Sequence, residues 1–237
     1  LPLDNPELAI QEVEWAIKEG LQSIWIPHRA PIGHSPGHVD LEGFWARLAE
    51  ANVPFVLHVG GAPLQVSKDW GNNGRAPVKD WLGGGENVRT KDAAVLHQTP
   101  EMFLSVMLLD GVFDRHPGLR GAAVELGAGW VPEMCRRLDW VTRIYGRSDK
   151  SVRFDRAPSQ QLIEQMAFTP FSHEDVAYLM QDSHPDLYLF SSDYPHLEGT
   201  KDPIGRFERF LEDSEPAIRD AFYSENFLRL WPSARVD

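Results

Sequence analysis

The sequence predicts an α/β protein with a parallel sheet, because strand and helix patterns alternate along its 237 residues. Five short apolar segments have the pattern of buried strands, and segments with helical periodicity, about ten residues or longer, separate them. Strands that alternate with helices of this length are joined by crossovers and therefore run parallel. A doubly wound open sheet and a TIM barrel both satisfy this pattern.

Local signals predict each element in turn. Asn5 and Pro6 are expected to begin the first helix, which Gly20 ends, and Asp40 is expected to cap a helix that continues to about residue 52. Further helices are expected at 99–114, at 130–145, after a capping box at 172–175, and in two pieces over 203–230. The predicted strands are 21–27, 55–59, 119–126, 168–171 and 187–191.

A long loop over 62–92 is rich in Gly and Asn, and a loop of that length is uncommon unless it has a function. Its glycine run, 83–85, lies in mid-loop and does not follow a strand, and no GxGxxG or P-loop motif occurs. The sequence therefore gives little support to a nucleotide-binding open sheet.

Composition narrows the functional class. A formal net charge of -12 argues against nucleic-acid binding, which needs clustered Lys and Arg. No apolar run approaches the roughly 18 residues of a membrane helix, and the first residues lack the pattern of a signal peptide. The single cysteine, Cys135, cannot form an intrachain disulfide and is interpreted as structural. We therefore expect one cytoplasmic domain over 1–237 with a small-molecule substrate.

Three polar residues end predicted strands: His58 in FVLHV, Glu125 in AAVEL, and Asp193 after LYLFS. In a barrel the carboxyl ends of the strands converge on one face, so these side chains are expected to meet. An imidazole with carboxylates is a reasonable ligand set for zinc or a similar divalent ion. Taken singly, His58 can be an ordinary polar residue at a strand end, and Asp193 before Tyr-Pro can be a turn former.

Several blocks of the sequence resemble the amidohydrolase-related family, which includes aminocarboxymuconate semialdehyde decarboxylase and hydroxybenzoate-type decarboxylases. NVPFVLHVGG resembles the fifth-strand motif of that family, GVFDRHPGLRGAAVELGAGWVPEMCRRLD the sixth-strand block, and LFSSDYPHLEG the eighth-strand block. YSENFLRLW resembles the closing helix, and GHVDLEGFWARLAEANVPF the approach to the fifth strand. The resemblance extends over nearly the whole chain.

The resemblance implies a (β/α)8 barrel enzyme with one divalent metal ion. By position, His58 is then the single-histidine ligand, and Asp193 binds the metal or holds its water. Zinc is the expected ion, although manganese or magnesium would tolerate the same ligands. Many barrels of this family form dimers, so a homo-oligomer is expected.

The sequence departs from the family in two places. Where the decarboxylase branch has a catalytic histidine after the sixth strand, this chain has Glu125. The family's opening strand carries HxH, ExH or DxH, and no predicted strand here does. The five predicted strands resemble strands four to eight, so about three upstream strands are expected to be missing from this sequence.

These observations leave three functions open. The leading hypothesis is hydrolysis of a small carbonyl or amide substrate by a metal-activated water, with Asp193 moving protons and Glu125 as a second acid–base group. His97 is a further catalytic candidate, and Trp130 and His196 are assigned to substrate binding, with Trp70 and Trp81 as an apolar wall or ordinary packing. The alternatives are decarboxylation of an aromatic or dienoic carboxylate, which the glutamate disfavours, and a non-catalytic remnant.

Overall fold

The computed structural model describes residues 1–61, 68–76, 90–196 and 199–235. Within them, four strands form one parallel sheet in the order β1-β2-β3-β4. The strands are β1 Ile24–Trp25, β2 Phe55–His58, β3 Gly121–Val124 and β4 Met166–Phe168. Sequence neighbours are spatial neighbours throughout, as in a barrel wall, whereas the order of a doubly wound sheet reverses at its switch point.

The fifth predicted strand, 187–191, is reduced to a single parallel bridge between Phe168 and Tyr188. Leu189 donates its N–H to the Phe168 carbonyl at 2.9 Å, but Phe190 donates instead to Phe222 in the C-terminal helices. The segment therefore runs beside β4 without a continuous ladder, because its next backbone donor is already used outside the sheet.

Helices lie before, between and after the strands and pack against the sheet. They are α1 Pro6–Lys18, α2 Glu42–Ala51, α3 Lys68–Gly71, α4 Thr90–Val95, α5 Gln98–Leu109, α6 Val112–Arg115, α7 Val131–Tyr145, α8 Pro158–Gln165, α9 Val176–Asp182, α10 Pro203–Phe210, α11 Pro216–Asp220 and α12 Asn226–Leu230. A π-helical turn, Ala221–Glu225, joins the last two. None of the described helices combines the length and apolar character needed to cross a bilayer.

The structure confirms one predicted helix cap and corrects two others. Asn5 accepts from the N–H of Leu8 at 3.1 Å and caps α1 as predicted. Asp40 lies inside a short 3-10 turn and does not cap α2, which begins at Glu42. Asp175 caps α9 by accepting from the N–H of Tyr178, so the predicted start at residue 172 was wrong by several positions.

The main hydrophobic core lies between the sheet and the helices, where Phe55, Leu57 and Phe168 are fully buried. Burial of a side chain of this size contributes roughly 2–3 kcal/mol to folding. Cys135 is buried in this core, and burial raises the pKa of its thiol to about 12, as expected for a structural cysteine. The opposite face of the sheet carries the small Ala122 and Ala167, which are covered by a second cluster from the chain's C-terminal end.

Candidate active site

The candidate site lies where the parallel strands end. His58 is the last residue of β2, Glu125 directly follows β3, and Asp193 and His196 follow the segment beside β4. Because parallel strands share one direction, their carboxyl ends meet at one edge of the sheet. The structure brings the three residues singled out in the sequence to this edge, together with His196.

Glu125 is the centre of the cluster. Its Oε2 lies 2.8 Å from Nε2 of His58, and its Oε1 lies 2.9 Å from Nδ1 of His196. The Glu125 side chain is 5 % exposed, while both imidazoles are more than 40 % exposed. A buried carboxylate is costly unless it is paired, and these two contacts compensate its burial.

The backbone around Glu125 directs its side chain into the site. Glu125 has a left-handed conformation with φ 59, and its N–H donates to Oγ1 of Thr169 at 3.0 Å. Left-handed backbone costs an ordinary side chain roughly 1 kcal/mol or more. The hydrogen bond from the residue that follows β4 holds this conformation, so two neighbouring strand ends position the carboxylate.

The contacts of Glu125 and His58 shift the pKa values of both side chains. Burial by itself would raise the pKa of Glu125, but hydrogen bonds from His58 and His196 lower it overall. The hydrogen bond to Glu125 raises the pKa of His58. The other ring nitrogen of His58 lies 2.9 Å from the carbonyl of Val59, which can only accept. Both ring nitrogens therefore face acceptors, and the imidazolium form of His58 satisfies both.

Asp193 and His196 form the second half of the site. Oδ1 of Asp193 lies 3.1 Å from Nδ1 of His196, and Asp193 is also left-handed, with φ 49. Hydrogen bonds to Glu125 and then Asp193 raise the pKa of His196. One ligand atom each from Glu125, Asp193 and His196 lie within 4.8 Å of one another.

Two carboxylates and one imidazole at this spacing fit a divalent cation. This group of three differs from the pair of metal ligands expected from the sequence, His58 and Asp193. His196, assigned to substrate binding from the sequence, is in the set, whereas His58 has both nitrogens engaged and would have to release one to bind a metal.

Sequence reasoning missed His28, which is buried beneath the site with 2 % exposure. Its Nε2 lies 3.0 Å from the carbonyl of His58, and because a carbonyl only accepts, Nε2 carries the proton. Burial lowers the pKa of His28, so its neutral form is favoured. A methyl group at Gly61 would lie 3.0 Å from the His28 ring, which explains the glycine there. Its position in the sequence could have identified it, because His28 closely follows the first strand, just as His58 ends the second.

The remaining candidates lie outside the cluster. His97 precedes α5, and no hydrogen bond or ion pair in the described part of the chain joins it to the site. Trp130 donates its indole N–H to Gly127 at 2.9 Å and packs edge-to-face on Phe168 at 5.3 Å. Trp70 is largely exposed, and Trp81 lies outside the described residues. Their proposed roles stay predictions.

An aromatic ring that the sequence did not single out borders the site instead. Trp25, at the end of β1, is 52 % exposed and lies edge-on to the His58 ring at 5.9 Å. A large aromatic side chain left open to solvent beside polar groups is typical of a substrate-facing wall.

Solved structures resemble this fold closely. An amidohydrolase from Mycobacterium avium subsp. paratuberculosis K-10 superposes with a TM-score of 0.79, at 26 % identity, over 98 % of this chain and 57 % of that one. A dihydroxybenzoic acid decarboxylase from Polaromonas sp. JS666, with bound manganese and the inhibitor 2-nitroresorcinol, superposes with a TM-score of 0.64, at 20 % identity, over 99 % of this chain and 68 % of that one.

Two curated relatives are decarboxylases. The decarboxylase orsB of Emericella nidulans is 26 % identical over 200 residues, which are 82 % of this chain and 56 % of that protein. The gamma-resorcylate decarboxylase of Rhodococcus jostii (strain RHA1) is 28 % identical over 148 residues, 59 % of this chain and 41 % of that protein. This chain thus spans about half the length of the curated relatives it matches.

A sequence model of one family, described as Amidohydrolase, matches residues 1–232. The match covers every strand and the whole Glu125 cluster, in agreement with the parallel sheet whose carboxyl edge carries the site. The chain belongs to the amidohydrolase family.

Proposed function

We propose that the protein is a metal-dependent, non-oxidative decarboxylase of a hydroxy-substituted aromatic carboxylate. Decarboxylation was the first alternative from the sequence, behind hydrolysis. Both curated relatives are named decarboxylases, one of them for gamma-resorcylate, and this reverses the order. The replacement of the family's histidine by Glu125 is then accommodated by a different proton donor.

The position of His58 beside Glu125 carries the proposal. Non-oxidative decarboxylation breaks a ring C–CO2⁻ bond and forms a C–H bond, so each CO2 released consumes one proton. His58 Nε2 lies 2.8 Å from Glu125 Oε2 in a ring that is 41 % exposed, and the imidazolium form of this ring would hold a proton at the site. A positioned imidazolium is a suitable general acid near neutral pH, and hydrolysis by contrast first needs a base.

Glu125, Asp193 and His196 would hold the metal. The ion supplies positive charge that binds and polarises oxygen atoms of the substrate. Glu125 offers separate oxygens, since Oε2 faces His58 and Oε1 faces His196. Manganese suits a carboxylate-rich set and is the ion in the Polaromonas structure, so we propose manganese ahead of zinc.

The other residues position and shield the reacting ring. Trp25 provides an apolar face beside His58, and the buried His28 holds the His58 backbone through its carbonyl. Asp193 shares the His196 nitrogen with Glu125 and keeps that imidazole oriented toward the cluster. Excluding water from such a site strengthens each charge interaction within it.

The test is an assay of the purified, manganese-loaded protein with dihydroxybenzoates and, separately, with amide and ester analogues of similar size. We expect CO2 release from a dihydroxybenzoate, with kcat about 100-fold lower in His58→Gln. His38→Gln, a change at another partly exposed histidine remote from the cluster, should match wild type. Turnover of the amides or esters without CO2 release would favour hydrolysis and refute the proposal.

We also propose that the protein is a cytoplasmic homodimer acting on a small molecule. The proposal rests on family resemblance, and the bound inhibitor in the Polaromonas structure supports the small-molecule part. Light scattering coupled to size exclusion would give twice the chain mass of 26.8 kDa.

A further inference from the structure

A basic groove lies away from the candidate site, between the C-terminal half of α7 and the segment 146–158. It has a volume of about 760 Å³ and is lined by five arginines and one exposed tryptophan: Arg136, Arg143, Arg147, Arg153, Arg156 and Trp140. Such a concentration of positive charge is notable on a chain with a formal net charge of -12.

Three of these arginines have no carboxylate partner in the described part of the chain. Arg136 pairs with Asp182 at 2.9 Å, and Arg156 pairs with Glu164. Arg153 donates only to the carbonyls of residues 146 and 147, which leaves its charge uncompensated. Arg143 and Arg147 are exposed, and within the described ranges no ion pair forms at either guanidinium.

The one carboxylate that lines the described groove, Asp139, is held by Ser159, and no ion pair joins it to these arginines in the described part of the chain. Asp139 accepts from the N–H of Ser159 at 2.9 Å and from its hydroxyl at 2.6 Å. Both carboxylate oxygens are therefore committed to the start of α8, where they also serve as the acceptors that a helix N-terminus needs. Elsewhere on the surface, Arg29 and Arg115 each have a carboxylate within 3 Å.

Trp140 adds a flat apolar surface to the groove. It is 49 % exposed and packs edge-to-face against Tyr145 at 6.4 Å, so one large part of the ring faces solvent. Guanidinium groups bind phosphate through paired N–H donors, and an indole face stacks on planar rings. The groove therefore combines a recognition element for multiple negative charges with one for a ring.

We propose that this groove binds a small polyanion that carries a planar ring, of the chemical class of nucleoside di- and triphosphates. The site differs from the Glu125 cluster in place and chemistry: α7 begins beside Trp130 near that cluster, whereas the groove is at the opposite end of the helix. The proposal does not depend on the decarboxylase activity.

Calorimetric titration of the protein with ATP, pyrophosphate and adenosine, without divalent ions, tests the proposal. We expect ATP to bind with a Kd on the order of 100 µM, pyrophosphate about tenfold more weakly, and adenosine very weakly. Arg143→Glu combined with Arg147→Glu should weaken ATP binding at least about tenfold. The matched control is Arg206→Glu with Arg209→Glu, two exposed arginines on α10 with the same change of charge.

Absence of ATP binding at millimolar concentration would overturn the proposal, and so would equal losses in the two double variants. If pyrophosphate bound as tightly as ATP, the proposed contribution of the ligand's planar ring would be wrong. The variant Trp140→Leu tests that contribution independently. If the double glutamate variant fails to fold, Arg143→Gln with Arg147→Gln removes the same charges without reversing them and gives the same readout.

Discussion

At the scale of single residues, Glu125 determines what the site can do, because it contacts two imidazoles from a nearly buried position. Glu125→Gln keeps the shape but removes the charge and one acceptor, so one histidine loses its partner. We expect kcat to fall about 100-fold or more and manganese affinity to fall at least about tenfold. Assays and metal analysis measure both, with Glu50→Gln, an exposed glutamate on α2, as control. Full activity in Glu125→Gln would exclude the proposed role.

Asp4 gives a pH-dependent prediction away from the site. The Arg29 guanidinium and the Ile32 N–H lower the pKa of Asp4 from 3.8 to about 2. Because the folded-state pKa is the lower one, this stabilisation is complete above about pH 4 and is lost as the pH falls toward 2. Both side chains are partly exposed, so we expect Asp4→Asn to cost about 1 kcal/mol at pH 6.

Urea unfolding of wild type and Asp4→Asn at pH 6 and pH 2.5 measures this difference. The gap between the two proteins should shrink at the lower pH. A gap that stays constant or grows on acidification would show that the Asp4 charge is not responsible.

The sequence identified His58, Glu125 and Asp193 because each lies at or just after the end of an apolar strand pattern. This local pattern becomes a shared location once the strands are parallel. It did not reveal that His196 Nδ1 lies between two carboxylates, because that contact spans 71 residues to Glu125. His28 was missed for a similar reason, since its burial depends on the neighbouring strand.

At the scale of elements, loops after the strands are tied together by one side chain. The Glu174 carboxylate accepts from the N–H groups of Ala128 at 3.0 Å, Gly129 at 2.6 Å and Phe171 at 2.6 Å. It thereby joins the loop after β3 to the loop after β4, the two that flank Glu125 and Thr169. This contact fixes the site indirectly, through the backbone that carries it.

Glu174→Ala leaves these three N–H groups without their acceptor. We expect a loss of about 2–3 kcal/mol in the free energy of unfolding, because hydrogen bonds to a charged acceptor are stronger than neutral ones. Urea denaturation measures this loss, and Glu212→Ala, at an exposed glutamate after α10, is the control. Equal stability of the two variants would contradict the conclusion that Glu174 stabilises the protein by joining the loops after β3 and β4.

Strands and helices could be predicted where the local sequence pattern agrees with the burial that the folded structure imposes. The strands at 55–59 and 119–126 appear as β2 and β3 because apolar residues there are buried against helices. The helix expected at 99–114 divides into α5 and α6 at Gly111, whose φ of 74 ends the first helix. The contact of Phe190 with Phe222, which interrupts the pairing of 187–191 with β4, is long-range and has no local sequence pattern.

At the scale of the whole molecule, the sequential strand order accounts for the assembly of the site from distant parts of the chain. Because neighbouring strands run parallel, their carboxyl ends lie on one rim. We therefore expect a ligand at this rim to stabilise more than one part of the sheet, because Glu125 follows β3 whereas Asp193 and His196 follow the segment beside β4.

Manganese binding should therefore raise Tm. At a free concentration 100 times the Kd, mass action adds about 2.7 kcal/mol, which for a chain of this size is roughly 5–10 °C. EDTA should reverse the shift, and Asp193→Asn should reduce it, in a thermal melt followed by circular dichroism. A wild-type melt that is unaffected by manganese, zinc and EDTA would favour the non-catalytic alternative.

The left-handed backbone at Glu125 and Asp193 has a consequence for protein engineering. Glycine or asparagine would relax both positions, so a library selected only for heat resistance should drift away from the two acids. Sequencing the survivors would reveal that trade-off directly, because the positions lost first under such selection would be the two acids proposed to bind the cation.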